Sequence, residues 1–114
     1  MLPAELRLKI NEARSKYWTN QKYIYTPIFK TVYRIRHGSE KPPKIGFIMT
    51  VKVGKATVRN RLKRVISEAI FKEIENLPRG LEAIIIGKQG AKGISNEEIS
   101  YWTNKMLPKI QTNT

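Results

Sequence analysis

Thirteen residues, Lys52-Val-Gly-Lys55-Ala-Thr-Val-Arg59-Asn60-Arg61-Leu-Lys63-Arg64, hold six Lys or Arg and no acid. Each Arg presents several N–H groups in one plane and can fork onto phosphate oxygens or base edges, while each Lys supplies a mobile point charge. The chemistry on offer is recognition of an anion. From about Thr57 the spacing turns helical, with Val58, Leu62, Val65, Ile66, Ala69 and Ile70 sharing one broad face on a 3.6-residue period. Asn60, Lys63, Arg64 and Ser67 then project to the opposite side, with Arg59 and Arg61 on its flanks. The open start of such a helix adds unpaired backbone N–H groups and the positive end of the dipole. A Lys- and Arg-rich helix face is by default a solvated face laced by i, i+4 ion pairs, but this stretch contains no acid to lace it. A polyanion is the natural partner.

The flanking elements must position that helix. Gly54 turns the backbone after an apolar strand, Ile45–Val51, and the helix runs from Thr57 to Asn76, stopping before Pro78 and Gly80. A second apolar strand, Leu81–Gly87, follows. Strand, helix and strand form a βαβ unit, so the two strands should be parallel with the helix on one sheet face. General handedness rules predict the common right-handed crossover. The other face is left to a basic strand, Ile28–Arg36, and a first helix, Glu12–Asn20, capped by Asn11. Along the strand, Phe29, Thr31, Tyr33 and Ile35 make one face; Lys30, Val32, Arg34 and Arg36 make the other. The helix carries Tyr17 and Trp18 beside Arg14 and Lys16. Core packing is the default for those rings, but aromatics next to cations also suit single-stranded nucleic acid. A cleft results between helix and sheet. His37–Lys44 and Gln89–Gly93 are connections, and Ser95-Asn-Glu-Glu98 is a capping box for a last helix to about Lys109, with Ile99, Trp102, Met106 and Ile110 inward.

Length and charge narrow the class. With 114 residues the chain is expected to form one domain, residues 1–114. Its formal net charge is +13, and the first 64 residues carry sixteen of the 22 cations but only three of the nine acids. That asymmetry suits nucleic acid or an anionic membrane. No apolar run is long enough to span a bilayer and no signal-peptide pattern is visible, so no membrane role is expected. The chain has no Cys, consistent with a bacterial-type cytoplasm, and no Asp. Its Glu residues are scattered and its one His, His37, sits in a polar turn. A nuclease using two metal ions needs clustered carboxylates, so no catalytic or metal-holding residue is expected in the protein. Any enzymatic activity must draw its chemistry from another molecule.

Lys52, Gly54, Ala56 and then Arg59-Asn60-Arg61-Leu62-Lys63-Arg64 resemble the Lys-x-Gly-x-Ala…Arg-Asn-Arg-x-Lys-Arg signature of the bacterial ribonuclease P protein component. The order agrees elsewhere too: Arg7-Leu8 before the first helix, an Ile-Gly-Phe strand, Leu81 to Gly87, and a capped terminal helix. The resemblance implies an α+β sandwich of order α-β-β-β-α-β-α, with a left-handed crossover at the signature helix and a third strand from a split of Tyr23–Arg36. It implies a cytoplasmic endoribonuclease holoenzyme with one protein per RNA, whose catalytic RNA cleaves the 5′ leader from precursor tRNA with Mg2+ held mainly by that RNA. Lys52, Lys55, Arg59, Asn60, Arg61, Lys63 and Arg64 would contact the ribonuclease P RNA. Arg14, Lys16, Trp18, Phe29, Lys30 and Arg34 would line the leader cleft. Two departures stand out: Ser67-Glu68 replaces the usual Arg-Glu, losing a cation at the exposed face, and Arg14 stands where an aromatic is typical. A ribosomal protein shares the size and charge but does not predict the signature. A DNA-binding protein predicts a dimerisation stripe, and none is apparent.

Overall fold

The computed structural model of the chain describes residues 2–9, 21–91 and 93–112. The first helix expected over Glu12–Asn20 lies outside the described residues, and so do Arg14, Lys16 and Trp18. The described residues form four strands and two long helices: β1 (Lys22–Tyr25), β2 (Phe29–Ile35), β3 (Lys44–Ile48), α1 (Ala56–Lys72), β4 (Leu81–Gly87) and α2 (Asn96–Thr112). The fold is α+β, with sheet order β1-β2-β4-β3. β4 pairs antiparallel with β2 and parallel with β3, so β3, α1 and β4 make the expected βαβ unit.

The single run Tyr23–Arg36 divides into two strands because Thr26 builds a turn. Its backbone N–H donates to the Phe29 carbonyl at 2.9 Å, and its hydroxyl oxygen accepts the Phe29 N–H at 3.0 Å. Side chains of this type favour such local bonds over a continued ladder. β3 ends earlier than the apolar run suggests, at Ile48 rather than Val51, since Val53 N–H bonds to Thr50 O and Gly54 N–H to Val51 O, folding the chain into a tight turn. α1 stops at Lys72, where the Glu73 N–H reaches the Ile70 and Phe71 carbonyls, and Ile74–Asn76 form a separate 3-10 turn. Ser95 caps α2 as its box predicts, its Oγ accepting the Glu98 N–H at 3.2 Å.

Side chains alternate cleanly across the sheet. On the inner face Phe29, Thr31 and Tyr33 of β2 join Ile45 of β3 and Leu81, Ala83 and Ile85 of β4. Against them pack Leu62, Val65, Ile66 and Ile70 of α1, with Ile99, Met106, Leu107 and Ile110 of α2 in the same core. Val58, expected in this face, is only half-buried. Trp102 is likewise partly exposed, set edge-on to Tyr101, while Thr103 is fully buried with its hydroxyl donating to Ile99 O. The outer face holds a smaller apolar cluster of Leu8, Val32 and Ile84, bordered by Ile48 and Ile86. Leu8 is placed there because its N–H bonds to the Ile45 carbonyl along the β3 edge.

At the other end of the sheet, Gly80 ties the β2–β3 connection to the start of β4. It accepts the Arg36 N–H and donates to Lys41 O, both at 2.9 Å. Its φ is +84°, and a Cβ there would collide with the Arg36 carbonyl oxygen. Gly80→Ala is therefore expected to destabilise the protein by roughly 1–3 kcal/mol, read as a lowered urea midpoint with an unchanged m-value.

Candidate nucleic-acid interface

Burial of the apolar stripe of α1 fixes which side of the helix faces outward. Asn60 and Arg64 are exposed, Arg59, Arg61 and Lys63 are half-exposed, and Lys52 and Lys55 stand exposed on the turn leading in. Thr57, Asn60, Arg61, Lys63 and Arg64 line a shallow surface groove. Gly54, at φ +147° and packed against Val58, lets the chain reverse tightly into the helix. Lys55 occupies the N-cap position without a side-chain cap hydrogen bond, and the first turn carries no acid. The leading N–H groups thus keep their affinity for an anion.

The side chains of this face are partly organised. Arg61 donates from Nη1 to Asn96 Oδ1 at 3.3 Å, linking the signature to the start of α2. Arg59 Nε is buried and finds no acceptor among the described residues. Arg64 approaches Glu68 at 3.6 Å as an i, i+4 pair, which corrects the expectation that these cations lack helical partners. Both side chains are more than half exposed, so the pair is weak and screened. Ser67 needs a second correction. The helical period assigns it to the outer face, but it is 2% exposed. A short side chain beside Ile66 and Ile70 cannot reach past the margin of the packed stripe, whereas Lys63 one turn earlier is long enough to hold its charge in water and is half-exposed. Ser67 therefore belongs to the packed margin of the helix.

The outer face of the sheet gathers a second set. Lys30 and Arg34 lie there, Arg34 held by Glu82 across β2 and β4 at 2.7 Å. Phe29 does not. It is fully buried on the inner face, one residue out of phase with Lys30, and offers no ring to a ligand. The aromatics actually presented beside Lys30 are Tyr23 and Tyr25, which register against Val32 and Lys30. They are 46% and 63% exposed, with ring centroids 6.3 Å apart and planes 13° from parallel. Lys30 Nζ sits 5.9 Å from the Tyr23 ring centroid and Lys88 Nζ 5.4 Å from that of Tyr25, while Lys88 also donates to Thr26 O at 2.9 Å. Reasoning from the sequence alone misses both tyrosines. The signal is present in the Tyr-x-Tyr alternation, and recognising Thr26 as a turn puts them on the same face as Lys30.

The whole arrangement matches a known family. The Ribonuclease P family model covers residues 2–111. This chain belongs to the ribonuclease P protein family. It is 31% identical over 104 residues to the ribonuclease P protein component of Macrococcus caseolyticus, covering 91% of this chain and 85% of that one. To the component from Finegoldia magna it is 29% identical over 94 residues, covering 82% and 80%. Its fold is similar to that of the Staphylococcus aureus RNase P protein, with TM-score 0.77 and 21% identity over 92% of this chain and 94% of that one. The Thermotoga maritima RNase P protein superimposes with TM-score 0.75 and 20% identity, covering 91% and 96%.

Among the described residues no three His, Cys, Asp or Glu side chains gather to hold a metal ion. No helix among them is long and apolar enough to cross a membrane.

The two aromatic positions predict opposite behaviour. Phe29→Ala should cost about 3–5 kcal/mol of stability, whereas Tyr25→Ala should change it by less than about 0.5 kcal/mol. Chemical denaturation of both variants checks the assignment of Phe29 to the core and Tyr25 to the surface.

Proposed function

We propose that this chain is the protein subunit of a ribonuclease P holoenzyme, binding the catalytic RNA and the 5′ leader of precursor tRNA and assisting Mg2+-dependent cleavage that yields the mature tRNA 5′ end. The observation that carries the reading is the basic face of α1. Exposed Asn60 and Arg64, half-exposed Arg59 and Lys63, and an anchored Arg61 surround a helix start without a side-chain cap. Phosphate oxygens suit the accessible guanidinium, ammonium and amide groups of this face and the leading N–H groups of the helix. Arg59, Asn60, Arg61, Lys63 and Arg64, with Lys52 and Lys55, dock the catalytic RNA, one protein to each RNA.

The leader lies along the outer sheet face. Lys30 and Lys88 draw its phosphates while Tyr23 and Tyr25 offer flat faces for bases, a combination that tolerates any sequence. Arg34 contributes less charge than its type suggests because Glu82 already engages it. Arg14, Lys16 and Trp18 complete the cleft by family resemblance. Protein side chains bind and orient; Mg2+ held by RNA phosphates supplies the hydrolytic chemistry. The place of action is the cytoplasm.

Arg59→Ala combined with Arg61→Ala is expected to weaken binding to the catalytic RNA and lower the salt slope by about 0.7 to 0.9 for each phosphate left without its cation. Filter binding across a salt series measures both; an unchanged slope removes the docking role. Tyr23→Ala and Tyr25→Ala should each cost about 1–3 kcal/mol of affinity for precursor tRNA and little for mature tRNA. The reading as a whole rests on cleavage of precursor tRNA at low Mg2+ by a bacterial ribonuclease P RNA. Adding the protein should restore cleavage at the mature 5′ end, and no stimulation despite tight RNA binding would favour a purely structural RNA-binding protein.

A further inference from the structure

A second basic concavity of about 270 Å3 lies where β2 ends and β3 and β4 begin, at the opposite end of the sheet from the start of α1. Arg34, Arg36, Ser39, Lys41, Lys44 and Glu82 line it. Arg34 and Glu82 largely cancel each other at 2.7 Å. Three cations remain, and among the described residues neither Arg36, Lys41 nor Lys44 shares an ion pair with a carboxylate. The one acid of this connection, Glu40, is exposed and pairs with none of them.

The loop that carries these cations is tied in place. Ser39 N–H bonds to Arg36 O at 3.1 Å, Lys41 N–H to Ser39 Oγ at 3.2 Å, and Gly80 brackets the loop through Arg36 and Lys41. Loop charges on a free segment would drift apart; here backbone bonds hold like charges around one hollow, an arrangement that is relieved when an anion enters. The hollow also continues the outer sheet face, since Arg34, Glu82 and Lys44 stand in register on the side that carries Lys30.

We propose that this pocket binds a backbone phosphate of an RNA strand, giving the protein an RNA anchor at the far end of the sheet from its Arg-Asn-Arg face. The inference rests on the RNA-binding reading above. The phosphate has two possible sources, a precursor strand that has run the length of the outer face or a segment of the catalytic RNA.

The test uses the full chain assembled with a bacterial ribonuclease P RNA and compares wild type with Arg36→Gln/Lys41→Gln/Lys44→Gln. Affinity is measured across a salt series for the catalytic RNA alone, and for the holoenzyme with long-leader, short-leader and leaderless tRNA. Each phosphate that the variant no longer neutralises should lower the salt slope by about 0.7 and the affinity roughly five-fold at 0.1 M salt. Weakening confined to the long-leader precursor identifies the precursor as the source, and weakening against the catalytic RNA alone identifies that RNA; either supports the pocket. Unchanged affinities and slopes, in a preparation where Arg59→Ala/Arg61→Ala does weaken RNA binding, overturn the pocket and leave the subunit reading standing. A wild-type protein that binds neither RNA overturns both. Should the triple variant lose its circular-dichroism signature, Lys41→Gln/Lys44→Gln serves in its place, because it leaves Arg36 intact.

Discussion

The docking of α1 onto the inner sheet face is the interaction on which the rest of the molecule depends. Leu62, Ile66 and Ile70 are almost wholly withdrawn from water, and each such side chain contributes about 1.5–3 kcal/mol. Repulsion among the exposed cations of the same helix is screened by water and salt, with pairwise terms below about 1 kcal/mol. Burial therefore decides the helix orientation, and the charged side is carried outward whatever it would prefer electrostatically. The protein can concentrate cations on α1 because their mutual repulsion is small beside the packing that holds the helix down.

The same division of labour runs through the sheet. β4, paired on both edges, sets the register of β2 and β3. That register commits Phe29, Thr31 and Tyr33 to the core and Lys30 and Arg34 to the outer face. A strand has a period of two, so no residue can serve both sides, and a ring one position away from a cation belongs to a different environment. The tyrosines of β1 reach the outer face only because the Thr26 turn folds β1 back in antiparallel register with β2. Aromatic faces and cations thus come together from two strands, and backbone pairing alone sets their spacing.

Polar groups without a protein partner stand at both ends of the sheet. Among the described residues Arg59 Nε is buried without an acceptor, the α1 start has no side-chain cap, and three cations ring a tied hollow at the opposite end of the sheet. A buried unpaired N–H is a cost to folding, whereas the helix start and the accessible cations are hydrated and cost little. The accessible groups among them suit phosphate oxygens, and the proposed docking to RNA rests on that chemistry.

Much of this is legible in the sequence. The apolar stripe of α1, the strand Leu81–Gly87, the cap at Ser95 and the parallel βαβ unit follow from periodicity and local chemistry, since side-chain spacing and capping bonds act over a few residues. The Arg-Asn-Arg face is legible for the same reason: helical geometry alone turns Asn60 and Arg64 away from Leu62 and Ile66. Relations between distant segments are set instead by the folded chain. Phe29 and Lys30, neighbours in the chain, look like members of one cleft until the β2–β4 register separates them. Ser67 looks like a surface residue because the helical period groups it with Asn60, Lys63 and Arg64, yet a short side chain at the edge of a packed stripe is buried regardless of its hydroxyl. The hollow formed by Arg36, Lys41 and Lys44 exists because Gly80, about forty residues further along, draws their loop against the start of β4. Charge and period are properties of the sequence, but which charges meet depends on backbone bonds between residues far apart along the chain.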